Sequence, residues 1–201
     1  MNLAPKAGRN ARSRKSENAI MDAALECFRD KGMLATSMEE IADRAGVARA
    51  TIYYNFLSKD DIAVRIAERF RARGYERYLH ERSGGADALS LIRSFFAFAG
   101  AWVSEHREVA LVATLASVRG IGRNPDRPGT NQVLRQMVGQ ALEDGLIRRD
   151  VSLSSVAGIL NGLLLQCALI GSRETERAQA EWLLDMVDVV LDGIRAEQHK
   201  P

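Results

Sequence analysis

Cysteine and histidine are scarce in this sequence, and their scarcity excludes several kinds of site. The two cysteines, Cys27 and Cys167, are too few and too far apart for a disulfide framework or a zinc site. Each lies among apolar residues at helical spacing, which predicts a small, buried hydrophobic side chain. The three histidines are also far apart. Without a metal-ligand spacing, a nucleophile motif or a phosphate-binding loop, we expect no metal and no cofactor.

Strand signals and long apolar runs are also missing. Alternating runs are few and segments of helical period are long, which predicts an all-α protein. The 201 residues suffice for one large or two small domains with a substantial core. The apolar stretch at residues 158–171 is too short to span a bilayer and contains Asn161 and Gln166. With nothing that resembles a signal peptide, we expect a cytoplasmic protein without a membrane partner.

The charge is nearly balanced but unevenly distributed. Residues 1–73 contain 14 Lys or Arg and 10 Asp or Glu, whereas residues 74–201 contain 14 and 16. The N-terminal part is therefore the more basic one. This distribution fits an electrostatic footprint on a polyanion such as DNA.

The segment SMEEIADRAGVARATIYYNFLSK, residues 37–59, predicts two short helices joined by a tight turn. Ser37 and Glu40 have the spacing of a capping box at the start of the first helix. Gly46 suits the turn because glycine adopts a left-handed backbone without steric cost. The second helix begins at about Arg49. Its predicted inward positions are those of Ile52 and Phe56, so the pattern is that of a helix-turn-helix.

The outward side chains of this segment suit DNA. An arginine at the start of the recognition helix can read a guanine edge, and hydroxyl and ammonium groups can bind phosphates. Two adjacent tyrosines are unusual on a purely solvated face, which favours DNA binding over the alternative of a plain helical hairpin. The residues predicted to contact DNA are Ser37, Arg49, Ala50, Thr51, Tyr53, Tyr54, Asn55 and Lys59.

The segments ATSMEEIADRAGV, ATIYYNF and SKDDI, preceded by ENAIMDAALECFRDKG, resemble the N-terminal domain of TetR-type bacterial transcriptional regulators. Two positions depart from the pattern. Ala48 replaces the usual serine or threonine cap, at a cost of about 1 kcal/mol, and Asn55 replaces a frequent histidine. The resemblance implies a repressor that binds a palindromic operator as a dimer and is released by a small molecule. It also implies that the last two helices form a four-helix dimer interface.

About nine helices are expected, in four parts of the chain. Residues 1–13 are predicted to be a flexible basic arm, and residues 14–58 the helix-turn-helix head. The first helix of the head is predicted to run from about Arg14 to Lys31 and to stop at Gly32. Residues 59–86 are predicted to be a linking helix, the only element with apolar residues in both domains. Ser58 and Asp61 have the spacing of its capping box, and Phe70 is expected to point towards the head. Residues 87–201 are predicted to form the ligand-binding and dimerisation domain.

Two sets of residues in the second domain are candidates for binding. Aromatic side chains with a few polar groups suit a small apolar or aromatic effector, although such a stripe is also typical of a simple core. The candidate effector residues are Phe95, Phe98, Trp102, Met137 and Asn161. Two glycines one turn apart allow a second helix to approach closely, within the subunit or in a symmetric partner. The candidate dimer residues are Gly158, Gly162, Leu165, Trp182, Met186 and Val190.

Two other functions remain as alternatives to the regulator. A DNA-binding architectural protein without a ligand would use the same head, but dimerisation alone needs fewer helices than the second domain contains. An enzyme with a helical core would need a catalytic constellation. The three histidines, His80, His106 and His199, do not suggest one.

Overall fold

The computed structural model describes residues 6–118, 129–170 and 176–196. These residues form nine helices and no strand, which confirms the all-α class. An isolated bridge joins Ile147 and Arg195. No described helix is long and apolar enough to cross a membrane. The helices are α1 (Lys6–Ala35), α2 (Met38–Arg44), α3 (Arg49–Asn55), α4 (Lys59–Ser83), α5 (Ala88–Glu105), α6 (Arg107–Val118), α7 (Thr130–Glu143), α8 (Leu153–Ile170) and α9 (Glu176–Ile194).

The first helix differs from the prediction at its start and agrees with it near its end. We predicted a flexible arm over residues 1–13 and a helix from about Arg14, but α1 begins at Lys6. The arm prediction is therefore wrong for residues 6–13, and residues 1–5 lie outside the described part. Near the other end, Gly32 has φ 81°, which interrupts the regular helix where the sequence predicted a stop.

Short-range capping fixes the ends of the next helices. The Ser37 hydroxyl accepts from the Glu40 N–H and the Glu40 carboxylate accepts from the Ser37 N–H, so the capping box is confirmed. Gly46 takes the left-handed conformation with φ 65°. Ser58 caps α4 through the Asp61 N–H, as expected. The Asp61 carboxylate, however, accepts from the Leu57 N–H rather than from Ser58.

Two hydrophobic cores organise the described residues. The first joins α1, α2, α3 and the start of α4, and its fully buried members include Ile20, Ile41, Ile52, Phe56, Ile62 and Ile66. The second joins the C-terminal part of α4 with α5, α7, α8 and α9, and its most buried members include Ile92, Phe96, Leu134, Met137, Leu160 and Leu183. Both cysteines are buried, as predicted.

Helix α4 is not the only element that serves both cores. Val109 of α6 belongs to the first core, and Trp102 of α5 packs against both. Phe70 of α4, which we expected to point towards the head, stacks between Phe98 and Trp102 at centroid distances of 4.4 and 4.5 Å. The prediction of a single linking helix is therefore wrong, because α5 and α6 also hold the head.

Candidate functional site

The exposed face of α3 is the centre of the candidate nucleic-acid interface. Ile52 is fully buried and fixes the rotation of this seven-residue helix against the first core. Arg49, Ala50 and Tyr54 are exposed on the outer side, and Tyr54 is 84% exposed. Ala48 precedes the helix without a side-chain cap from any described residue, as the sequence predicted. The outward face thus presents one cation, one methyl group and one aromatic ring.

Tyr53 is held by the preceding helix rather than pointing freely outwards. Its hydroxyl donates to Glu39 Oε1 at 2.9 Å. This hydrogen bond raises the pKa of the Tyr53 hydroxyl above its usual range. The Glu39 backbone N–H, together with the Tyr53 hydroxyl, lowers the pKa of the Glu39 carboxyl. The pair links α2 to α3, and a phosphate contact by Tyr53 has to compete with Glu39.

Asn55 and Ser37 also have partners within the protein. The Asn55 amide donates to the Thr51 carbonyl at 2.7 Å, and its Oδ1 lies 3.5 Å from the Ser13 hydroxyl of α1. The Ser37 hydroxyl exchanges hydrogen bonds with Glu40 alone among the described residues. A hydrogen bond from Lys31, followed by those from Ser37, lowers the pKa of Glu40 to about 2. Both side chains therefore stabilise the head, and Asn55 is not free to pair with adenine in this conformation.

Lys59 has a structural role that the sequence did not indicate. Its Nζ donates to the carbonyls of Met33 at 2.6 Å, Leu34 at 3.2 Å and Thr36 at 2.6 Å. An ammonium group has three N–H donors, and these three acceptors occupy all of them. The prediction that Lys59 donates to a phosphate does not fit this geometry. Its ammonium group already binds residues 33–36, which follow the kink at Gly32 and form the link between α1 and α2.

Exposed cations of α1 adjoin the recognition helix. Arg14 and Lys15 are exposed and follow Ser13, which lies against Asn55 of α3. Neither has a salt-bridge partner in the described part of the chain. They are exposed cations one and two residues along α1 from its contact with α3.

A shallow cleft lies between α4 and α5 in the second domain. Its lining residues are Gly74, Arg77, Tyr78 and Glu81 of α4 and Leu91, Ser94, Phe95 and Phe98 of α5. Two of the five predicted effector residues, Phe95 and Phe98, are among them. Trp102 instead stacks on Phe70, Met137 is fully buried in the second core, and Asn161 is half-buried on α8. Gly74 was a sequence signal for this cleft, since a glycine within a helix is destabilising and often has a packing reason.

The two predicted glycines of α8 face outwards. No described atom lies within 4 Å of the position that a Cβ would take at Gly158 or Gly162. Packing against the described part of the chain therefore does not explain them. Ile159 is 53% exposed beside them, and Val189 of α9 is 67% exposed. The other predicted dimer residues, Leu165, Trp182, Met186 and Val190, are half-buried.

A helix-turn-helix head joined to a larger helical domain defines the class of helical DNA-binding regulators. Residues 20–66 match the family of bacterial regulatory proteins, tetR family. The N-terminal part of the chain is therefore similar to this family, as the resemblance implied.

Relatives and solved structures extend the similarity beyond the head. The transcriptional repressor KstR2 of Mycobacterium tuberculosis (strain H37Rv) is 25% identical over 154 residues, which cover 72% of this chain and 74% of KstR2. The repressor NicS of Pseudomonas putida is 24% identical over 202 residues, covering 90% and 93%. Thermus thermophilus FadR, a TetR-family repressor solved with lauroyl-CoA, shares the fold with TM-score 0.69 and 23% identity, covering 92% and 98%.

Proposed function

We propose that the protein is a ligand-responsive transcriptional repressor that binds a palindromic operator as a dimer and is released by a small apolar or aromatic effector. The observation that carries this proposal is the outward face of α3, with Arg49, Ala50 and Tyr54 exposed above the buried Ile52. KstR2 and NicS are both transcriptional repressors, and FadR was solved with lauroyl-CoA. The same architecture in this chain supports a repressor with an effector site in its second domain.

The proposed DNA contacts divide into base reading and positioning. Arg49 stands at the first position of α3, where side chains of a recognition helix reach base edges, and its guanidinium suits the O6 and N7 acceptors of guanine. Ala50 and Tyr54 lie one turn apart and offer apolar contact to thymine methyl groups. Arg14, Lys15, Thr51 and Tyr53 flank this set and are proposed to contact phosphates.

The proposed dimer forms through the outward faces of α8 and α9. Gly158 and Gly162 leave a smooth strip on α8, beside the exposed Ile159 and Val189. Large apolar side chains that are exposed on neighbouring helices are typical of an interface. A two-fold axis through these helices would pair two heads, and their recognition helices would need a separation of about 34–36 Å to enter successive major grooves.

Selection of bound sequences from random duplex DNA tests the proposal, followed by affinity titration on the selected site. We expect a two-fold symmetric motif. Arg49→Ala should relax the preference at one position of each half-site, at a cost of about 1–3 kcal/mol there. The matched control is Arg135→Ala, which removes an exposed arginine from α7. A selection that returns no symmetric motif, or the same motif with and without Arg49, would contradict the assignment.

A further inference from the structure

Glu39 of α2 places a carboxylate beside the recognition helix, although it was not among the residues predicted to contact DNA. Its Oε1 accepts from the Tyr53 hydroxyl at 2.9 Å, and Tyr53 lies one turn after Arg49 on α3. Side chains one turn apart lie on the same side of a helix. The carboxylate of Glu39, the hydroxyl of Tyr53 and the guanidinium of Arg49 therefore share one flank of the exposed face of α3.

An anion and a cation lie near each other on this flank without forming an ion pair. Arg49 is exposed and has no salt bridge within the described residues. The pKa of the Glu39 carboxyl is lowered by its own backbone N–H, by the Tyr53 hydroxyl and by the nearby charge of Arg49. The carboxyl is therefore ionised at neutral pH. A carboxylate accepts about four hydrogen bonds, and the Glu39 N–H and Tyr53 occupy only part of this capacity.

A carboxylate on a surface that meets DNA is unfavourable unless the DNA supplies a donor. Phosphates repel it, and the major-groove edges offer donors at the N4 amino group of cytosine and the N6 amino group of adenine. The adenine amino group lies beside N7, an acceptor that repels a carboxylate oxygen. Cytosine has no acceptor on this edge, so a carboxylate fits cytosine better than adenine.

We propose that Glu39 reads a cytosine in each half-site by accepting a hydrogen bond from its N4 amino group, close to the guanine that Arg49 reads. The two side chains present one acceptor and one donor, which complement the N4 donor of cytosine and the O6 and N7 acceptors of guanine. The inference rests on the proposed function, because it names a second base-reading residue of the same interface. A carboxylate that only holds Tyr53 would read no base.

Substitution of Glu39 should change one position of the motif that is selected from random duplex DNA. Glu39→Gln keeps the size of the side chain and adds an amide donor, which together with the amide oxygen complements N7 and N6 of adenine. It should therefore return adenine where the wild type returns cytosine, and Glu39→Ala should show no preference there. The matched control is Glu76→Gln, which removes the same charge from an exposed position of α4 and should return the wild-type motif.

A base analogue separates base reading from a structural role of Glu39. The selected site is prepared with 2-pyrimidinone in place of the cytosine, which removes the N4 amino group and leaves the guanine for Arg49. Affinity for the two duplexes is measured by titration. The wild type and Glu76→Gln should bind the analogue about tenfold more weakly than the unmodified site, whereas Glu39→Ala should bind the two duplexes with similar affinity.

The inference is overturned if Glu39→Gln and Glu39→Ala return the wild-type motif. It is also overturned if the wild type and Glu39→Ala lose the same affinity on the analogue, because the loss then does not depend on the carboxylate. A wild-type protein that selects no symmetric motif contradicts the proposed function, and with it this assignment. A symmetric motif that does not depend on Glu39 contradicts the assignment of Glu39 alone.

Discussion

Replacing Lys59 with methionine separates a structural role from a DNA contact. The substitution keeps the aliphatic part of the side chain and removes the ammonium group that donates to the carbonyls of Met33, Leu34 and Thr36. A hydrogen bond from a charged donor contributes about 1.5–3 kcal/mol. Because one ammonium group is desolvated to make all three bonds, we count them together as one such contribution. Lys59 is also the first residue of α4, where a positive charge opposes the helix dipole by about 0.3–1 kcal/mol. The net loss of unfolding free energy should therefore be about 1–2 kcal/mol.

Two measurements distinguish the roles. For a protein of this size, the expected loss lowers the midpoint of thermal unfolding by about 2–8 °C. The salt dependence of operator affinity should stay almost unchanged, because a lysine that binds carbonyls neutralises no phosphate. The matched control is Lys15→Met, at an exposed position of α1. It should leave the unfolding midpoint unchanged and reduce the salt slope by about 0.9. A Lys59→Met protein with a normal midpoint and a salt slope reduced by that amount would refute this reasoning.

Three further predictions concern the dimer, acid stability and coupling. Gly162→Gln should weaken dimerisation at least tenfold in sedimentation experiments, whereas Ala72→Gln, at an exposed position of α4, should not. If Gly162→Gln dimerises as tightly as the wild type, Gly162 does not lie in the interface. The pKa of Glu40 falls from 4.5 to about 2 on folding, so its stabilisation is present above pH 4.5 and is lost as the pH falls towards 2. Glu40→Gln should flatten this part of the pH–stability profile, and an unchanged profile would show that other carboxylates determine it. Glu108→Ala removes the acceptor of the Met33 N–H. It should reduce the loss of operator affinity that a bound effector causes. If this loss is the same as in the wild type, the contact does not couple the effector site to the DNA-binding head.

The helix boundaries were predictable where they depend on neighbouring residues. Ser37 and Ser58 cap the helices that follow them, and Gly32 and Gly46 take left-handed conformations at the predicted breaks. These features involve partners within a few residues, which the sequence displays directly. The start of α1 was missed because residues 6–13 contain almost no apolar periodicity, although Ala, Arg and Lys favour helices.

Contacts between distant residues were not predictable from the local pattern. Lys59 binds carbonyls 23 to 26 residues away, and Glu108 binds a backbone N–H 75 residues away. The rotation of α4 against α5 decides which residues share the cleft. For that reason the aromatic pattern identified Phe95 and Phe98 but not Tyr78. Periodicity shows that a face is apolar, but not which neighbouring helix it meets.

The link between α1 and α2 is held from two sides by groups of opposite charge. The ammonium of Lys59 on α4 holds its carbonyls, and the carboxylate of Glu108 on α6 holds the Met33 N–H at 2.5 Å. A relative displacement of α4 and α6 would act on this link as a pair of forces with separate points of application. When the two forces are opposed and not collinear, they exert a torque. The α2–α3 unit would then turn rather than translate, so a small displacement in the second domain changes the angle at which α3 meets the groove.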